Sequence, residues 1–253
     1  MHMKKLISLI LILTLLFCCT SCRIGGKTMD GDKNVLERTF KIESGGVWAL
    51  VVENITFSAG AVDSYIRTGS MYGSAVKIAT DDNIFTSLDV IIDEENKTIT
   101  VSGDQQYTYN PSEFAITLGT DFNKLRIDGD FELDILKETG GELDITVNGA
   151  AEGDITTERL STMKLTVNGA ADLELTGTCE QLLLEGNGAM KLDADDYKAL
   201  NANVKLDGAA KADINVSGEL YIETNGTCAV SVEGNPTVKQ QAINGLSTIE
   251  FKD

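Results

Sequence analysis

The side chains with the clearest capacity for chemistry are carboxylates that recur at a fixed interval. They stand 19 or 20 residues apart in the second half of the chain, at Asp134, Asp154, Glu174, Asp193 and Asp213. Stacked in space, such a column could hold a hard divalent cation such as calcium, which takes oxygen ligands in flexible geometry. Lysines two residues ahead of the last two acids partly neutralise them, so the candidate calcium ligands are Asp134, Asp154 and Glu174. The alternative is a solvated acidic face that binds no ion.

Groups suited to catalysis are sparse. The single histidine stands at position 2, inside a predicted signal peptide, so the mature chain would lack histidine bases and histidine metal ligands. Asp195-Asp196 beside Lys198 is the nearest match to the acids and basic partner of polysaccharide-cleaving enzymes, and a solvated turn is the alternative. Tyr107 and Tyr109 are the aromatic pair predicted to be exposed. The sequence predicts no catalytic residue and no cofactor.

The charge balance excludes one class of partner. The chain has 253 residues, with 21 Lys and Arg against 39 Asp and Glu, which gives a net charge of -18. Nucleic-acid phosphates need positive counter-charge, so a nucleic-acid partner is not expected. At 42% apolar residues, the chain can still build a substantial core.

The first residues have the layout of a bacterial export signal. Lys4 and Lys5 precede an uncharged apolar run from Leu6 to Phe17, which is too short to span a bilayer. Thr20-Ser21-Cys22 then resembles a lipobox, in which the cysteine is lipidated and becomes the new N-terminus. We predict a lipoprotein signal peptide at residues 1–21, lipidation of Cys22 and a flexible Gly-rich tether at residues 22–37. An ordinary secretory signal is the alternative.

A repeat of about 20 residues organises the second half of the chain. Each repeat has an Asn or Asp followed by Gly, with the glycines 18 to 20 residues apart: Asp128-Gly129, Asn148-Gly149, Asn168-Gly169, Asn187-Gly188, Asp207-Gly208 and Asn225-Gly226. Such a period is typical of a solenoid. Glycine is expected at these corners for its conformational freedom, and the Asn and Asp side chains are expected to hydrogen-bond up the stack.

Apolar and polar residues alternate on both sides of each glycine, which indicates strands with one buried face. Ile145 and Ile214 belong to inward columns, while Thr146 and Lys205 belong to outward ones. Short strands can bury an apolar face by stacking on the next repeat. The predicted fold class is therefore all-β, a single-stranded parallel β-helix with coils of about 20 residues. An antiparallel meander or sandwich is the alternative.

The β-helix domain is predicted to span residues 38–253. Residues 38–118 are expected to form irregular strands or a cap, with a hairpin or a tight bend between Leu88–Ile92 and Thr98–Val101. Residues 119–233 form the regular coils, and residues 234–253 are expected to close the other end. Cys179 and Cys228 would lie nearly three coils apart, beyond disulfide reach, as small core or corner residues.

Several of these segments together resemble a known family. They are the opening strand Thr39–Ile42, the strand Thr98–Gly103, the Asn-Gly-Ala repeats, Glu233–Pro236 and Ile243–Gly245. Together with the lipoprotein signal they resemble the bacterial auto-transporter adhesin family with the head GIN domain, over about residues 38–253. The resemblance implies a right-handed, single-stranded β-helix on secreted or surface lipoproteins, and it implies no catalytic residues.

The anchor, the solenoid and the sparse catalytic groups predict a non-enzymatic lipoprotein of the cell envelope. It would be an adhesin or surface binding module whose faces bind an extracellular or envelope protein or glycan. It would be anchored in the outer membrane or on the outer face of the plasma membrane. The alternatives are a β-helix polysaccharide lyase or hydrolase and a purely structural envelope protein.

Overall fold

A computed structural model describes residues 27–252 of the protein. The predicted signal peptide and Cys22 lie outside the described residues. The described chain is almost entirely strand: β1 (Lys27–Asp30), β2 (Val35–Lys41), β3 (Trp48–Glu53), β4 (Ser64–Thr68), β5 (Ala75–Asp81), β6 (Leu88–Asp93), β7 (Thr98–Gly103), β8 (Tyr107–Asn110), β9 (Phe114–Leu118), β10 (Phe122–Ile127), β11 (Asp130–Lys137), β12 (Glu142–Val147), β13 (Ala150–Val167), β14 (Ala170–Gly186), β15 (Ala189–Val216), β16 (Glu219–Glu233), β17 (Thr237–Gly245) and β18 (Thr248–Phe251). A one-turn helix, α1 (Asp82–Phe85), follows β5. No helix within residues 27–252 is long and apolar enough to cross a membrane.

The regular half is a stack of parallel coils, as the sequence predicts. From β10 to β16, each strand pairs in parallel with the equivalent strand of the next coil. One inward column shows the register, with every member at most 1% exposed: Leu125, Ile145, Leu165, Leu184, Val204 and Ile222. Of the outward neighbours, Thr146 is half-buried and Lys205 is exposed. The predicted fold class, a parallel β-solenoid, is therefore confirmed.

The first coils stack in a different order from their order in the chain. The coil that contains β3 and β4 lies between the coil of β7 to β9 and the coil of β10 and β11. This follows because β3 pairs in parallel with both β7 and β10, and β4 pairs in parallel with both β9 and β11. The segment between β4 and β7 supplies further strands outside the stack. The predicted hairpin is present there, as the antiparallel pair β6 and β7.

Antiparallel strands close this end of the solenoid. On the outermost coil, β5 pairs antiparallel with β9, and β2 pairs antiparallel with β5. The outer strand β2 carries Glu37, Arg38 and Lys41, and charged side chains on an edge strand discourage further pairing. Helix α1 packs beside it through an ion pair between Arg38 and Asp82. We call this the closed end.

The prediction of a flexible tether over residues 22–37 is wrong for its second half. Lys27–Asp30 forms β1, which pairs in parallel with β8, and β2 begins at Val35. A polar, Gly-rich segment can add to a sheet because backbone hydrogen bonds, such as Lys27 N–H to the Gln106 carbonyl at 3.0 Å, need no apolar side chain. The buried carboxylate of Asp81 then holds the segment by accepting from the Lys33 N–H at 2.7 Å.

The C-terminal segment, predicted to close the opposite end, lies there as the last coil of the described residues. It forms one more coil, in which β17 and β18 both pair in parallel with β16. Asn244 and Gly245 stand in register with Asn225 and Gly226, so they make a seventh corner of the same kind. Within residues 27–252, no strand pairs with the outer edge of this coil. We call it the open end.

Candidate binding face

The corner residues form a hydrogen-bonded column, as predicted, with one interruption. The Asn168 side-chain N–H donates to Asn148 Oδ1 at 2.8 Å, and Asn187 donates in the same way to Asn168. Asn148 likewise donates to the first corner residue, Asp128. Each of these side chains donates to the corner residue of the preceding coil. No such bond joins Asp207 to Asn187 in the described structure, because a carboxylate has no N–H to donate. The column restarts where Asn225 donates to Asp207 at 3.2 Å.

The glycines at these corners serve a purpose that the sequence reasoning missed. Gly208 and Gly226 have φ values of 117° and 112°, in the region that favours glycine. Gly149 and Gly169 lie outside that region. At Gly169 an added Cβ would stand 1.9 Å from the carbonyl oxygen of Gly149 in the coil below. At Gly149 and Gly169, therefore, glycine is required by the close approach of stacked backbones, and not by its own conformation.

The predicted acidic column is present as a stack. Asp134, Asp154 and Glu174 are exposed and in register on successive coils, and Arg67 stands in register with Asp134 on the coil before. In the neighbouring column, partial desolvation and then the carboxylates of Asp172 and Glu132 raise the pKa of Glu152. Across residues 27–252, no three metal-ligating side chains converge into a metal site. The calcium site stays a prediction.

The other residues singled out from the sequence are placed as follows. Asp195, Asp196 and Lys198 are exposed, and no ion pair joins them in the part of the chain that the structure describes. The prediction that Tyr109 is exposed is wrong. Its ring is fully buried, because its hydroxyl can accept from the Asp104 N–H at 2.8 Å while the ring fills the core.

Both cysteines of the solenoid are buried and free, as predicted. Burial raises the pKa of the Cys179 thiol to about 11, so the thiol is protonated at neutral pH. The neighbouring Tyr197 is also buried, and its hydroxyl accepts from Thr157 Oγ1 at 3.3 Å. Neither cysteine is suited to act as a nucleophile.

A shallow groove of about 390 Å³ crosses the outer face formed by β13 to β17. Its first wall is a column of outward side chains on successive coils: Lys164, Leu183, Asn203, Tyr221 and Gln240. The second wall is the next outward column, which consists of Glu185, Lys205 and Glu223. We call this the Tyr221 groove. Successive rungs of each wall are about 4.8 Å apart, the spacing of paired strands.

Around an aromatic ring, the groove presents polar side chains that form no ion pairs with one another in the described structure. Tyr221 is 40% exposed because its side chain lies at an outward position of its strand. No ion pair within the described residues involves the charged side chains of the two walls, although Lys205 stands in register between Glu185 and Glu223. The groove therefore combines an exposed ring, an aliphatic side chain, two amides and balanced charges. Such a site suits a ligand with both apolar faces and many hydroxyl groups.

The sequence reasoning missed this groove, although a signal for it was present. Leu183 and Tyr221 are large, largely apolar residues at outward positions of otherwise alternating strands. Scattered surface apolar residues need no explanation, so each alone carried little weight. Their register, two coils apart in one column, becomes visible only when the coils are stacked.

The fold and this face define the class of protein, a parallel β-solenoid that presents flat, polar outer faces. The family described as "Putative auto-transporter adhesin, head GIN domain" matches residues 53–236, and the chain belongs to this family. The family resemblance inferred from the sequence is thereby confirmed. A search of curated proteins found no match.

Solved structures of bacterial proteins share the fold. A "putative adhesin" from Bacteroides fragilis is 19% identical, with a TM-score of 0.64, over 88% of this chain and 100% of that one. A "putative lipid binding protein" from Parabacteroides distasonis is 16% identical, with a TM-score of 0.58, over 90% of this chain and 100% of that one. At these identities the likeness establishes the fold alone. Membership of an adhesin family suggests an exported or cell-surface protein.

Proposed function

We propose that this protein is a lipid-anchored binding module of the cell surface whose Tyr221 groove holds a segment of a neutral glycan. The observation that carries the proposal is the exposed Tyr221 ring within a column of unpaired polar side chains. A sugar ring has an apolar face that can pack on an aromatic ring, and hydroxyl groups that both donate and accept. The amides of Asn203 and Gln240 can do the same in return.

Charge favours a neutral chain over an acidic one. The two walls of the groove contribute two lysines and two glutamates, so the site has no net charge of its own. The protein around it has a net charge of -18 and would repel an anionic polymer. The repeating rungs at about 4.8 Å would offer similar contacts to successive sugar units.

The groove is better suited to binding than to cleavage. Glu185 and Glu223 project from the same column two rungs apart, with Lys205 between them. They stand side by side on a flat sheet, whereas glycoside-cleaving carboxylates face each other across the bond. The competing function, a polysaccharide lyase or hydrolase, predicts release of sugar fragments from a bound glycan.

A binding test separates these functions. The exported chain is applied to an array of neutral glycans, and the best ligand is titrated against Tyr221→Ala and against a matched control. Leu200→Ala is the control, because Leu200 is 51% exposed and lies outside the groove. We expect Tyr221→Ala to weaken binding at least tenfold and the control to leave it unchanged. Equal binding by both variants, binding of no glycan, or release of sugar fragments would each contradict the proposal.

The anchor is supported by Thr20-Ser21-Cys22 and by the position of β1. Strand β1 begins at Lys27, only five residues after Cys22, and it lies at the closed end of the solenoid. An anchor at Cys22 would therefore hold the closed end near the membrane and direct the open end away from it. Cys22→Ser should abolish incorporation of a labelled fatty acid and retention in the membrane fraction. Labelling of the serine variant at the wild-type level would reject the anchor.

A further inference from the structure

The open end of the solenoid has an unused strand edge. Strands β17 and β18 pair with β16 on one side only, whereas the strands of the coils below pair on both sides. These two strands have nine and four residues, and in each of them alternate backbone N–H and C=O groups point away from the stack. Unpaired edges of this kind are templates for another strand.

The core is also exposed at this end. Val238, Ile243 and Phe251 occupy inward positions of the terminal coil and are 39%, 44% and 45% exposed. The residues in register with them one coil below are at most 1% exposed: Leu220, Thr224 and Val232. Thus these three inward positions are apolar in the last coil, whereas Gln241 replaces the apolar residue in register with Ile222, and nothing lies above them in the described structure. To bury these side chains, a partner must match the shape of this end and must not be repelled by its charge.

Once the predicted signal peptide is removed, the chain's own N-terminal segment is too short to be that partner. It joins the fold at β1, on the coil of β8 at the closed end. Counting coils from β8 to β17 gives eight rung spacings, or about 40 Å at 4.8 Å each. After cleavage before Cys22, the five residue steps from Cys22 to Lys27 span at most about 18 Å when fully extended.

The charge of the terminal coil suits a second copy. Residues 237–253 contain Lys239, Lys252, Glu250 and Asp253, so this segment has no net side-chain charge in a chain of -18. Both lysines also neutralise acids of the coil below, since Lys239 lies 3.0 Å from Glu219 and Lys252 lies 3.8 Å from Glu233. Two copies of an acidic protein can therefore meet at this end without the repulsion that the acidic columns would cause on a side face.

We propose that two copies of this protein bind each other through their open ends. A twofold axis through the Asn244-Gly245 corner places β17 of one copy antiparallel to β18 of the other, and the reverse. The edge of β18 and part of the longer edge of β17 are then paired, and the exposed Val238, Ile243 and Phe251 of each copy cover those of its partner. The interface is the same surface used twice, as a twofold dimer requires.

The geometry gives this dimer a function. The two closed ends point in opposite directions, so anchors at Cys22 would lie at opposite ends of a rod. Two copies joined in this way stand on facing membranes, and the contact is one between cells. This consequence rests on the proposed anchor, whereas the pairing of open ends does not.

The pairing is tested on the exported chain carrying Cys22→Ser, which has no lipid. Analytical ultracentrifugation should show a dimer that dissociates on dilution. Ile243→Asp should raise the dimer dissociation constant at least tenfold while the circular dichroism spectrum stays that of the folded chain, because Ile243 is half-exposed at the end of the stack. Leu200→Asp, on an exposed side position, should leave the dimer intact. A monomer at every concentration, or a dimer equally sensitive to both substitutions, would overturn the proposal.

A crosslink tests the orientation, and beads test the consequence. Asn244→Cys should form a disulfide-linked dimer on mild oxidation because the twofold axis brings the two copies of this residue together, while Asn168→Cys, at a corner inside the stack, should not. Beads that carry the chain through its N-terminus should clump, and Ile243→Asp should abolish clumping while Tyr221→Ala does not. Loss of clumping in Tyr221→Ala alone would implicate the groove instead. Failure of glycan binding leaves all of these results unchanged.

Discussion

Gly169→Ala isolates the requirement for close approach at the corners. The φ of Gly169 lies outside the left-handed region, so alanine can adopt the same backbone conformation. Its Cβ, however, would stand 1.9 Å from the carbonyl oxygen of Gly149, and real Cβ contacts are essentially never closer than 3.0 Å. The two coils must separate locally by about 1 Å, or the corner must rotate, before the methyl group fits.

The hydrogen bonds across this corner set the size of the effect. They are the Ala170 N–H to the Gly149 carbonyl at 3.0 Å, the Asn168 N–H to the Val147 carbonyl at 2.8 Å, and the Asn168 side chain to Asn148 at 2.8 Å. A displacement of about 1 Å lengthens each beyond hydrogen-bonding distance. At about 1 kcal/mol of net stability per bond, the free energy of unfolding should fall by about 3 kcal/mol.

Gly45→Ala is the matched control, since nothing lies within 4 Å of its added Cβ and its φ is also ordinary. Its effect should stay within about 0.5 kcal/mol. Both variants are unfolded in urea while far-ultraviolet circular dichroism is followed, and the free energies are extrapolated to water. Equal free energies of unfolding for the two variants would refute the view that stacking, and not conformation, requires glycine at this corner.

Three further results are expected. Ile145→Asp should destabilise the fold by more than about 4 kcal/mol in urea unfolding because it buries an unpaired charge, while the outward Thr146→Asp should change it by less than about 0.5 kcal/mol; similar values would contradict the register. Hydrogen bonds from Ser112 and the Lys33 N–H lower the pKa of Asp81 against the opposing effect of burial, so its contribution is present above the ordinary value of 3.8 and is lost as the pH falls through the folded-state pKa. Asp81→Asn should therefore lower the melting temperature at pH 7, and its difference from the wild type should shrink as the pH falls below 3.8. For the acidic column, a solvated face predicts no saturable rise of melting temperature with calcium, and a saturable rise lost in the triple alanine variant would establish the site.

The regular coils could be predicted from the sequence because every coil meets the same environment. Ile145 and Leu165 lie in one inward column, and each packs between two copies of the same pattern, so the pattern repeats in the chain. The first coils could not be predicted in this way. The partners of β3 are β7 and β10, and no period in the sequence records that a later coil lies beneath an earlier one. Stacking order is a property of long-range pairing, which local alternation does not encode.

The candidate site was harder to predict than the fold for a related reason. Packing constrains the outward columns less than the inward ones, so alternation in the sequence does not predict which side chains stand there. Tyr221 and Leu183 stand out only against the polar residues expected at their positions. Tyr109 shows the reverse error, since a tyrosine near a loop was expected to be exposed and its ring is buried with its hydroxyl bonded to Asp104. The amphipathic character of tyrosine fits both outcomes.

The terminal coil shows what alternation alone leaves open. A last coil that serves as a cap and a last coil that serves as an interface both continue the same strands, and they differ only in what lies beyond them. Capping repeats need a polar outer surface. In this protein Gln241 replaces the apolar residue in register with Ile222, but Val238, Ile243 and Phe251 remain apolar at the other inward positions. These apolar residues lie together at inward positions of one end, so the composition of the open end fits a coil that another copy covers.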